Sequence, residues 1–587
     1  MTNKISLQIL KIACVLFMII FISAKPPVNE DQKFDAFKER FIDAFMMNYP
    51  SNAIFEAYPK YNDRLKVPDK KTLLADGFWL DMYLDSVNAF SFQNLSDVNK
   101  ISFQILTNEL EKRKWYQETF KDYEWDPSIY NIGWDVYDIL SHTKTPLHER
   151  LEMIGRYLEN APAFYEAAIS NIKRPTREHT ELGLQQNTGS VEVFEFMLAD
   201  SIKTAGLSSA ETNRLISINT KAIGALQNYI AFLQNILNDK NYLFRDYRIG
   251  KELFEEKFGY EIVSDLSATE IYNKAETARL SYYKEMYRLT GELWPKYFTA
   301  EQMPADTFAA IAKMINIISL QHASPENLFD TLQQHLKNLK TFIVNKQLFD
   351  FDINAQVNVR LMPAFAMGVT IASASFPPVF QEDGIAYYNI SDLTVLPPEE
   401  SESMLREYNN YTLQILSIHE GIPGHCLQGI YNKNNSSDKI TAVFGNGTMI
   451  EGWANYCKRM MIENGWGNNT PEMWLEFYKS ALRECCNVII DYGIHCLSFT
   501  EADVYDLLVN KAFQEDAQVR EKYKRAKLTQ VQLCSYFTGN TEMNNLLQQY
   551  KMKKGKDFKL IDFHEQFLSY GSAPIKYIGA LMLSDEN

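Results

Sequence analysis

The sequence predicts a mainly α-helical protein with a small β-sheet late in the chain, and two observations carry this prediction. Apolar residues recur at three-to-four spacing along most of the chain, which is the period of an amphipathic helix. Between residues 351 and 398 this spacing gives way to a pattern rich in Val, Ala, Phe, Tyr and Pro, which is typical of strands and turns. With 587 residues and 46% apolar content, the chain can bury a large core.

The N-terminus has the pattern of an export signal. Lysines at positions 4 and 11 precede an apolar run from Ile12 to Ala24, and small residues near Ala24 suit a cleavage point. The run is short for a membrane span. We therefore predict a signal peptide at residues 1–24, a linker at 25–32 and an exported protein that is periplasmic, cell-surface or secreted. An uncleaved signal anchor is the alternative.

Amphipathic stretches predict the helices in order. The first covers residues 33–49, where phenylalanines recur at positions 34, 37, 41 and 45. Before the strand-like region, further helices are predicted at 98–121, 146–170, 208–238, 268–290, 305–317 and 325–345. Beyond it they are predicted at 400–420, 447–463, 472–515 and 525–552, followed by a turn-rich tail at 569–579.

The strand-like region predicts a few strands. One covers Ile385–Ile390 and follows a turn at Glu382-Asp383-Gly384. A short sheet beside a helical motif is a common way to bind an extended peptide, because the peptide adds a strand to the sheet edge.

Charge and motif content exclude several functions. The net charge is -15 and the longest basic run is only KMKKGK at 551–556, so we predict no nucleic-acid partner. No segment beyond the N-terminus approaches the roughly 20 apolar residues of a membrane span, so no other membrane contact is expected. A G-x-S-x-G string and a phosphate-cradling glycine loop are both absent, which argues against a serine hydrolase and a nucleotide site.

Six cysteines follow the predicted signal peptide, all in the last third of the chain. An exported protein can form disulfides. However, two of the six are adjacent, several fall inside helical apolar patterns, and no C-x-x-C pattern occurs. Buried free thiols are the predicted state.

The candidate metal site is the string HEGIPGH, His419 to His425. Zinc takes neutral imidazoles on a rigid support, and a hydrolytic site needs a carboxylate beside the first ligand, here Glu420. On a straight helix six residues turn by about 600° and rise about 9 Å, so the two imidazoles would not converge. Pro423 and Gly424 lie between them and can break the helix. We predict that this break returns His425 to His419.

Glu451 is the predicted third ligand. It lies 26 residues after His425, near the start of another amphipathic helix. Two His and one Glu, with water in the fourth position, form the ligand set of several zinc peptidases. Glu420 is then the expected general base, taking a proton from that water. Two alternatives remain at this point: the histidines cap the end of a helix, and Glu451 is a solvated acid favoured by the helix dipole.

These strings resemble a bacterial family called domain of unknown function 885, whose typical motifs read HE-x-x-PGH-x-LQ and EGWA. Here they are HEGIPGHCLQ at 419–428 and EGWANYCKRMM at 451–461. Further similar strings are GIAYYNIS at 384–391, RECCNVIIDYGIH at 483–495, QVQLCSYFTG at 530–539 and DFHEQFLSYGSAPI at 562–575. The family's usual second His after PGH is Cys426 here, which leaves substrate specificity open.

The resemblance implies more than the residues do by themselves. The family is similar to the helical gluzincin peptidases, so it implies a large multi-helix body with a deep central cleft and a small sheet near residues 355–392. Residues 33–587 would form a single two-lobed catalytic domain, with the metal site within about 380–575. The implied activity is zinc-dependent hydrolysis of peptides or oligopeptides outside the cytoplasm. The alternative is a non-catalytic peptide-binding protein that retains the fold.

The resemblance also suggests roles for residues around the metal. His495 and Tyr536 would donate hydrogen bonds to the oxyanion that forms on the attacked carbonyl. Arg525 would bind a substrate carboxylate, because a guanidinium grips carboxylates with two hydrogen bonds. The alternatives are that His495 and Tyr536 are satisfied core residues and that Arg525 pairs with Glu521 on its own helix.

Three residues of the predicted strand complete the candidate site. The resemblance implies that Tyr387, Tyr388 and Asn389 hold the peptide backbone. Residue preference, the choice between internal and terminal cleavage, and the oligomeric state are not indicated by the sequence.

Overall fold

The computed structural model describes residues 29–584 with the exception of 143, 351, 353–355, 363–371, 382–384 and 436–437. Helices dominate it and one small sheet is present, which confirms the predicted mainly α fold. The predicted signal peptide and the predicted turn at 382–384 lie outside the described residues. Within the described part of the chain, every helix is too short or too polar to span a bilayer.

Fourteen helices in the described residues precede the sheet. They are α1 Glu30–Asn48, α2 Pro50–Phe55, α3 Lys70–Asn88, α4 Asp97–Trp115, α5 Gly133–Ser141, α6 Leu147–Leu158, α7 Ala161–Asn171, α8 Arg177–Glu192, α9 Ala199–Thr204, α10 Ser209–Asn238, α11 Lys251–Ile262, α12 Ala268–Tyr297, α13 Thr307–Ile318 and α14 Leu328–Asn345. The two longest, α10 and α12, each begin with a serine that caps the helix reciprocally with a glutamate three residues later.

The sheet has three strands, β1 Val357–Leu361, β2 Ala372–Ser375 and β3 Ala386–Ile390, in the order β1-β3-β2. The central strand β3 runs parallel to β1 and antiparallel to β2. Its bounds agree with the predicted strand to within one residue. Strand β2 is therefore an edge strand of the described sheet.

The remaining helices follow the sheet and carry the candidate site. They are α15 Pro398–Glu407, α16 Thr412–Leu416, α17 His425–Asn435, α18 Lys439–Val443, α19 Gly447–Glu463, α20 Pro471–Cys496, α21 Glu501–Tyr505, α22 Asp516–Thr529, α23 Cys534–Lys554, α24 Leu560–Ser569 and α25 Ile575–Met582.

Short 3₁₀ and π-helical segments connect or extend these helices. The 3₁₀ segments are Phe92–Asn94, Asp122–Glu124, Pro127–Ile129, Pro325–Asn327, Leu393–Val395, Trp466–Asn469 and Gly555–Asp557. The π-helical segments are Tyr116–Phe120, Val193–Leu198, Ser417–Gly421 and Asp506–Lys511.

One predicted helix before the sheet and one after it are each broken into two. The predicted helix at 146–170 is two helices, α6 and α7, and Pro162 lies in the first turn of α7, where its missing N–H costs nothing. The predicted helix at 400–420 is interrupted between α15 and α16 by Asn409, whose side chain accepts hydrogen bonds from the backbone N–H groups of Tyr411 and Thr412.

Two more predicted helices near the C-terminus are broken at left-handed residues. The predicted helix at 472–515 ends at Cys496, and Ser498 follows with φ 60°. The predicted helix at 525–552 is divided by Gln530 and Val531, with φ 35° and 69°. Non-glycine residues adopt such angles only where surrounding contacts hold them, so the pattern of apolar residues did not reveal these breaks.

Ten helices of the described residues lie outside the predicted ones: α2, α3, α5, α8, α9, α11, α17, α18, α24 and α25. The predicted turn-rich tail at 569–579 is a turn only up to Pro574, and α25 begins at the next residue, Ile575. The cysteine prediction agrees with the structure, since the six described cysteines are free and five of them are buried.

Three hydrophobic clusters form the core of the described residues. The first joins α1, α3, α4 and α14 to the sheet and to α17, α19, α24 and α25. The second joins α11, α12 and α13 to α20 and the start of α23. The third packs α5 to α10 together. Helix α20 contributes to the first and second clusters, so the helices that carry the candidate site lie where these two meet.

Candidate metal centre

The turn between His419 and His425 accounts for their six-residue spacing. Helix α16 ends in the π-helical segment Ser417–Gly421, the Ile422–Pro423 peptide bond is cis, and α17 begins at His425. The backbone N–H of Gly424 donates to the Ile418 carbonyl oxygen at 2.9 Å. A Cβ on Gly424 would lie only 2.0 Å from the carbonyl oxygen of His419, so the turn closes this tightly because residue 424 is glycine.

Helix α19 holds this turn in place. The indole Nε1 of Trp453 donates to the carbonyl oxygen of Pro423 at 2.9 Å, and the thiol of Cys457 lies 3.7 Å from the same oxygen. Both residues are buried on the helix that carries Glu451. The turn and the proposed third ligand are therefore tied to each other by direct contacts.

The structure brings His419, His425 and Glu451 together. Their ligand atoms all lie within 4.8 Å of one another. Oε2 of Glu451 is 3.4 Å from Nε2 of His419 and 3.6 Å from Nε2 of His425. Ligand atoms about 2.1 Å from one tetrahedral ion are separated by about 3.4 Å, and the two distances from Glu451 match that spacing.

Glu451 Oε2 supports the same fit. It is buried and has no hydrogen-bond partner among the described residues. Buried carboxylate oxygens are normally satisfied by donors or by a cation. The two imidazoles and this oxygen form the donor set that Zn²⁺ takes in catalytic sites, so the residues fit the ion that the resemblance implies.

Electrostatics favour the metal-binding protonation state of two of these three groups, His419 and Glu451. Burial lowers the pKa of His419 to about 4, which keeps the imidazole neutral. Burial also acts on Glu451, but the two nearby imidazoles outweigh it and hold the pKa of Glu451 well below its usual range. For His425, burial is outweighed by the carboxylates of Glu451 and Glu420, which raise its pKa.

Glu420 has the protonation behaviour of a general base. Burial raises its pKa to about 7, and the charge of Glu451 acts in the same direction. His425 and the backbone amide of Ala374 act against them. A carboxyl group whose pKa lies near neutrality can both accept and release a proton. Ala374 belongs to β2, so the edge of the sheet lies beside this carboxyl group.

The predicted peptide-binding residues on β3 are occupied within the protein. Tyr388 is fully buried and packs against the turn at Gly421. The Asn389 amide accepts from Arg360 and donates to hydroxyls of β2, while the Arg360 guanidinium covers the ring of Tyr387 at 4.2 Å. The structure therefore assigns Tyr387 and Asn389 to contacts within the sheet and buries Tyr388 against the turn, which differs from the predicted contact with substrate.

Tyr536 is placed beside the metal ligands by a close crossing of α19 and α23. A Cβ on Gly452 would lie 2.5 Å from the carbonyl carbon of Gly539, and a Cβ on Gly539 would lie 2.1 Å from the carbonyl oxygen of Thr448. The two backbones thus touch next to Glu451. Burial, together with the charge of Glu451, raises the pKa of Tyr536 to about 12, so the hydroxyl lies within electrostatic range of that carboxylate.

Arg525 and Tyr536 are also brought together. Nη2 of Arg525 donates to the Tyr536 hydroxyl at 3.0 Å and to Oε1 of Gln532 at 2.7 Å. The turn that leads into α23 is held by Asp491, whose carboxylate accepts the backbone N–H groups of Val531 and Leu533 at 3.2 Å each. Asp491 thus positions Tyr536 indirectly.

His495 does not join the cluster. It is 3% exposed, its Nε2 lies 2.9 Å from the carbonyl oxygen of Ala526, and its ring stacks on Phe254. Burial lowers its pKa to about 4. The proposed role of His495 as an oxyanion donor is therefore replaced by the alternative reading, a histidine of the hydrophobic core.

Lys458 is a charged group that the sequence analysis did not single out. Its side chain is 6% exposed, and its Nζ donates to Glu484 at 2.7 Å and to Ser480 at 2.9 Å. Its charge lowers the pKa values of His419 and Glu420. The sequence does contain a signal for it, because a lysine two helical turns after Glu451 lies inside a largely apolar stretch.

Together, the fold and the site define a helical protein with a His, His, Glu cluster suited to one divalent ion. The chain belongs to a bacterial protein family of unknown function, DUF885, whose family model matches residues 50–582.

Two solved structures are similar to the chain over most of its length. One is described as "a putative lipoprotein of unknown function from Shewanella oneidensis"; it has 38% sequence identity and a TM-score of 0.87, and the match covers 94% of this chain and 100% of that one. The other is a "putative lipoprotein from Colwellia psychrerythraea" with 14% identity and a TM-score of 0.77, covering 94% of this chain and 99% of that one. The second likeness concerns the fold alone. No curated protein matches the chain.

Proposed function

We propose that this protein is a zinc-dependent peptidase that hydrolyses peptides or oligopeptides outside the cytoplasm. The observation that supports it most is the convergence of ligand atoms from His419, His425 and Glu451 within 4.8 Å, with the carboxyl group of Glu420 next to the first ligand. This is the ligand set and the base that hydrolysis of an amide at a zinc centre requires.

The chemistry follows from the residues around the cluster. A bound Zn²⁺ would supply a Lewis acid that polarises the peptide carbonyl. Glu420 accepts a proton from the attacking water and delivers it to the leaving amine, for which a pKa near 7 is suited. Tyr536, whose hydroxyl already accepts from Arg525, donates its own proton in a hydrogen bond to the carbonyl oxygen as charge develops there.

The edge of the sheet gives the peptide a place to bind. Among the described residues, β2 pairs only with β3, and its Ala374 amide lies beside Glu420. A peptide that adds to this edge in extended form would bring its backbone to the base and the metal ligands. In this proposal the backbone of β2, not the side chains of β3, aligns the substrate.

The proposed location rests on two independent observations. The N-terminal pattern of lysines, apolar run and small residues is that of an export signal. The similar protein from Shewanella oneidensis is described as a putative lipoprotein, a class that is exported to the cell envelope. We therefore place this protein in the cell envelope or beyond it.

Metal analysis together with peptide cleavage tests the proposal. We expect about one zinc per chain in wild type, and loss of both zinc and hydrolysis in Glu451→Ala. Glu463→Ala is the matched control, because Glu463 ends the same helix and pairs with Arg459 at the surface. Glu420→Gln should retain zinc and lose turnover.

Three outcomes would contradict parts of the proposal. Zinc content that is absent in wild type or unaffected by Glu451→Ala would remove the metal site. Full turnover in Glu420→Gln would remove Glu420 as the base. Wild type that holds zinc and binds peptides, but cleaves nothing in a broad peptide library, would favour the non-catalytic peptide-binding alternative.

A further inference from the structure

A group of three cations lies beside the candidate metal centre, and we name it the cation cluster: Arg483 of α20 with Lys522 and Arg525 of α22. Arg483 is joined to α22 by a 3.0 Å hydrogen bond to Gln518, one turn before Lys522. The positive charges of Arg483 and Arg525 both act on Lys522. Arg525 is exposed and Arg483 is half-buried, so the cluster leads from the protein surface to the buried Lys522 amine, and each basic group raises the cost of charging the others.

Lys522 is the unusual member of the cluster. Its Nζ is buried and has no hydrogen-bond partner among the described residues. Burial, followed by the charge of Arg483, holds the pKa of Lys522 well below its usual range. A buried amine without a partner loses its hydration and gains nothing in return, so such groups are rare in folded proteins.

The neighbouring acid does not satisfy Lys522. Glu407 is 3% exposed, and its carboxylate already receives Nζ of Lys479 at 2.8 Å and a hydrogen bond from Arg483. The charge of Glu407 has a smaller effect on the pKa of Lys522 than burial or the Cys486 thiol has. Among the described residues, the Lys522 amine thus has no carboxylate partner of its own.

Two residues connect the cation cluster to the metal centre. Arg525 donates to the hydroxyl of Tyr536, which is within electrostatic range of Glu451. On the other side, burial raises the pKa of the half-buried Tyr408, Arg483 acts against burial, and the charge of Glu420 acts with it. The cluster is therefore linked to the candidate metal centre through these two tyrosines.

We propose that the cation cluster binds a carboxylate of the peptide substrate, with the Lys522 amine as its central donor and Arg525 beside it. This rests on the proposed function and adds the substrate class: peptides that present a carboxylate near the bond to be cut. An ammonium and a guanidinium bind carboxylates through strong charge-assisted hydrogen bonds. The carboxylate is either the free C-terminus, which makes the protein a carboxyl-terminal exopeptidase, or an Asp or Glu side chain.

Three peptide libraries distinguish these sources. The first consists of random hexapeptides without Asp or Glu and with a free C-terminus, the second is the same library amidated, and the third is amidated but includes Asp and Glu. Zinc-loaded wild type should cleave either the first or the third roughly ten- to a hundredfold better than the second, as expected for one charge-assisted contact. The library that is cleaved best identifies the source of the carboxylate.

Variants of Lys522 test its part in this preference. Lys522→Met should remove the preference and leave cleavage of the second library unchanged, while Lys522→Arg should retain most of it. Lys524→Met is the matched control, since Lys524 lies on the same helix and contacts Gln185 at the surface. Because Lys522→Met replaces a buried unpaired amine with an apolar chain of similar length, it should melt no lower than wild type.

A binding measurement separates this proposal from the proposed function. Calorimetric titration of the Glu420→Gln protein with the same libraries should show the same preference, and adding Lys522→Met should abolish it. If wild type cleaves nothing but this binding preference is present, the peptidase proposal fails and the carboxylate site stands. Equal cleavage and equal binding of all three libraries, or a Lys522→Met protein that loses all of them equally, would overturn the carboxylate site.

Discussion

Replacing Gly424 by alanine tests the geometry on which the candidate metal centre depends. The added Cβ would lie 2.0 Å from the carbonyl oxygen of His419 and 2.4 Å from that of Ile418. Both atoms belong to the backbone, so the overlap of more than 1 Å relative to ordinary van der Waals contact cannot be relieved by rotating a side chain. The turn must open, and His425 must move away from His419.

The magnitude follows from two contributions. Overpacking a rigid site costs about 1–3 kcal/mol, and loss of the Gly424 to Ile418 backbone hydrogen bond costs about 1 kcal/mol. We expect Gly424→Ala to lower the free energy of unfolding of the metal-free protein by about 3 kcal/mol. Zinc affinity should fall by at least about a hundredfold, because even disturbing the partners of a metal ligand costs up to that much.

Urea unfolding in the presence of a chelator measures the first quantity, and competition with a zinc indicator measures the second. Gly447→Ala is the matched control, since a Cβ on this glycine meets no atom within 4 Å although it lies on the same helix as Glu451. The control should bind zinc as wild type does. A Gly424→Ala protein with normal stability and normal zinc affinity would refute the argument that this glycine sets the spacing of the ligands.

Three further predictions follow from neighbouring contacts. Gly452→Ala places a Cβ 2.5 Å from Gly539, so it should separate α19 from α23 and reduce turnover while zinc stays bound; unchanged turnover would contradict this. Tyr536→Phe should lower kcat by about a hundredfold with zinc content unaffected, and a normal kcat would exclude the hydroxyl from catalysis. Burial lowers the pKa of His564 from 6.5 to about 4, so the unfolded chain takes up a proton at a higher pH than the folded protein does. The stability that comes from the neutral buried imidazole is therefore complete above pH 6.5 and is lost as pH falls towards 4. That loss is about 3 kcal/mol, and urea titrations between pH 7 and 4 should show a shallower decline for His564→Gln than for wild type.

The residue types of the candidate site were recognisable from the sequence because they lie in short local strings. His419, Glu420 and His425 fall within seven residues, and Glu451 begins the string EGWA. Pro423 and Gly424 between the histidines predicted a helix break, and the structure has a turn there. The side chains of the predicted strand were harder to assign, because burial and pairing within a sheet depend on which strands become neighbours.

His495 and Lys522 illustrate what local patterns cannot reveal. His495 lies in a string that resembles a family motif, yet its ring nitrogen is bonded to the Ala526 carbonyl, thirty-one residues further along the chain. Lys522 gave no signal in the sequence, since a lysine on a polar helix is normally solvated. Its buried amine is a consequence of how α22 packs against α20.

By itself the sequence determined the helical class, the position of the small sheet and the identity of the candidate metal ligands, because periodicity and residue chemistry act over a few neighbouring residues. Tertiary structure alone decided that Gly452 and Gly539 touch, that Arg525 bonds to Tyr536, and that His495 belongs to the core. The physical reason is that these contacts join residues tens of positions apart, and their free energy exists only once the helices have packed.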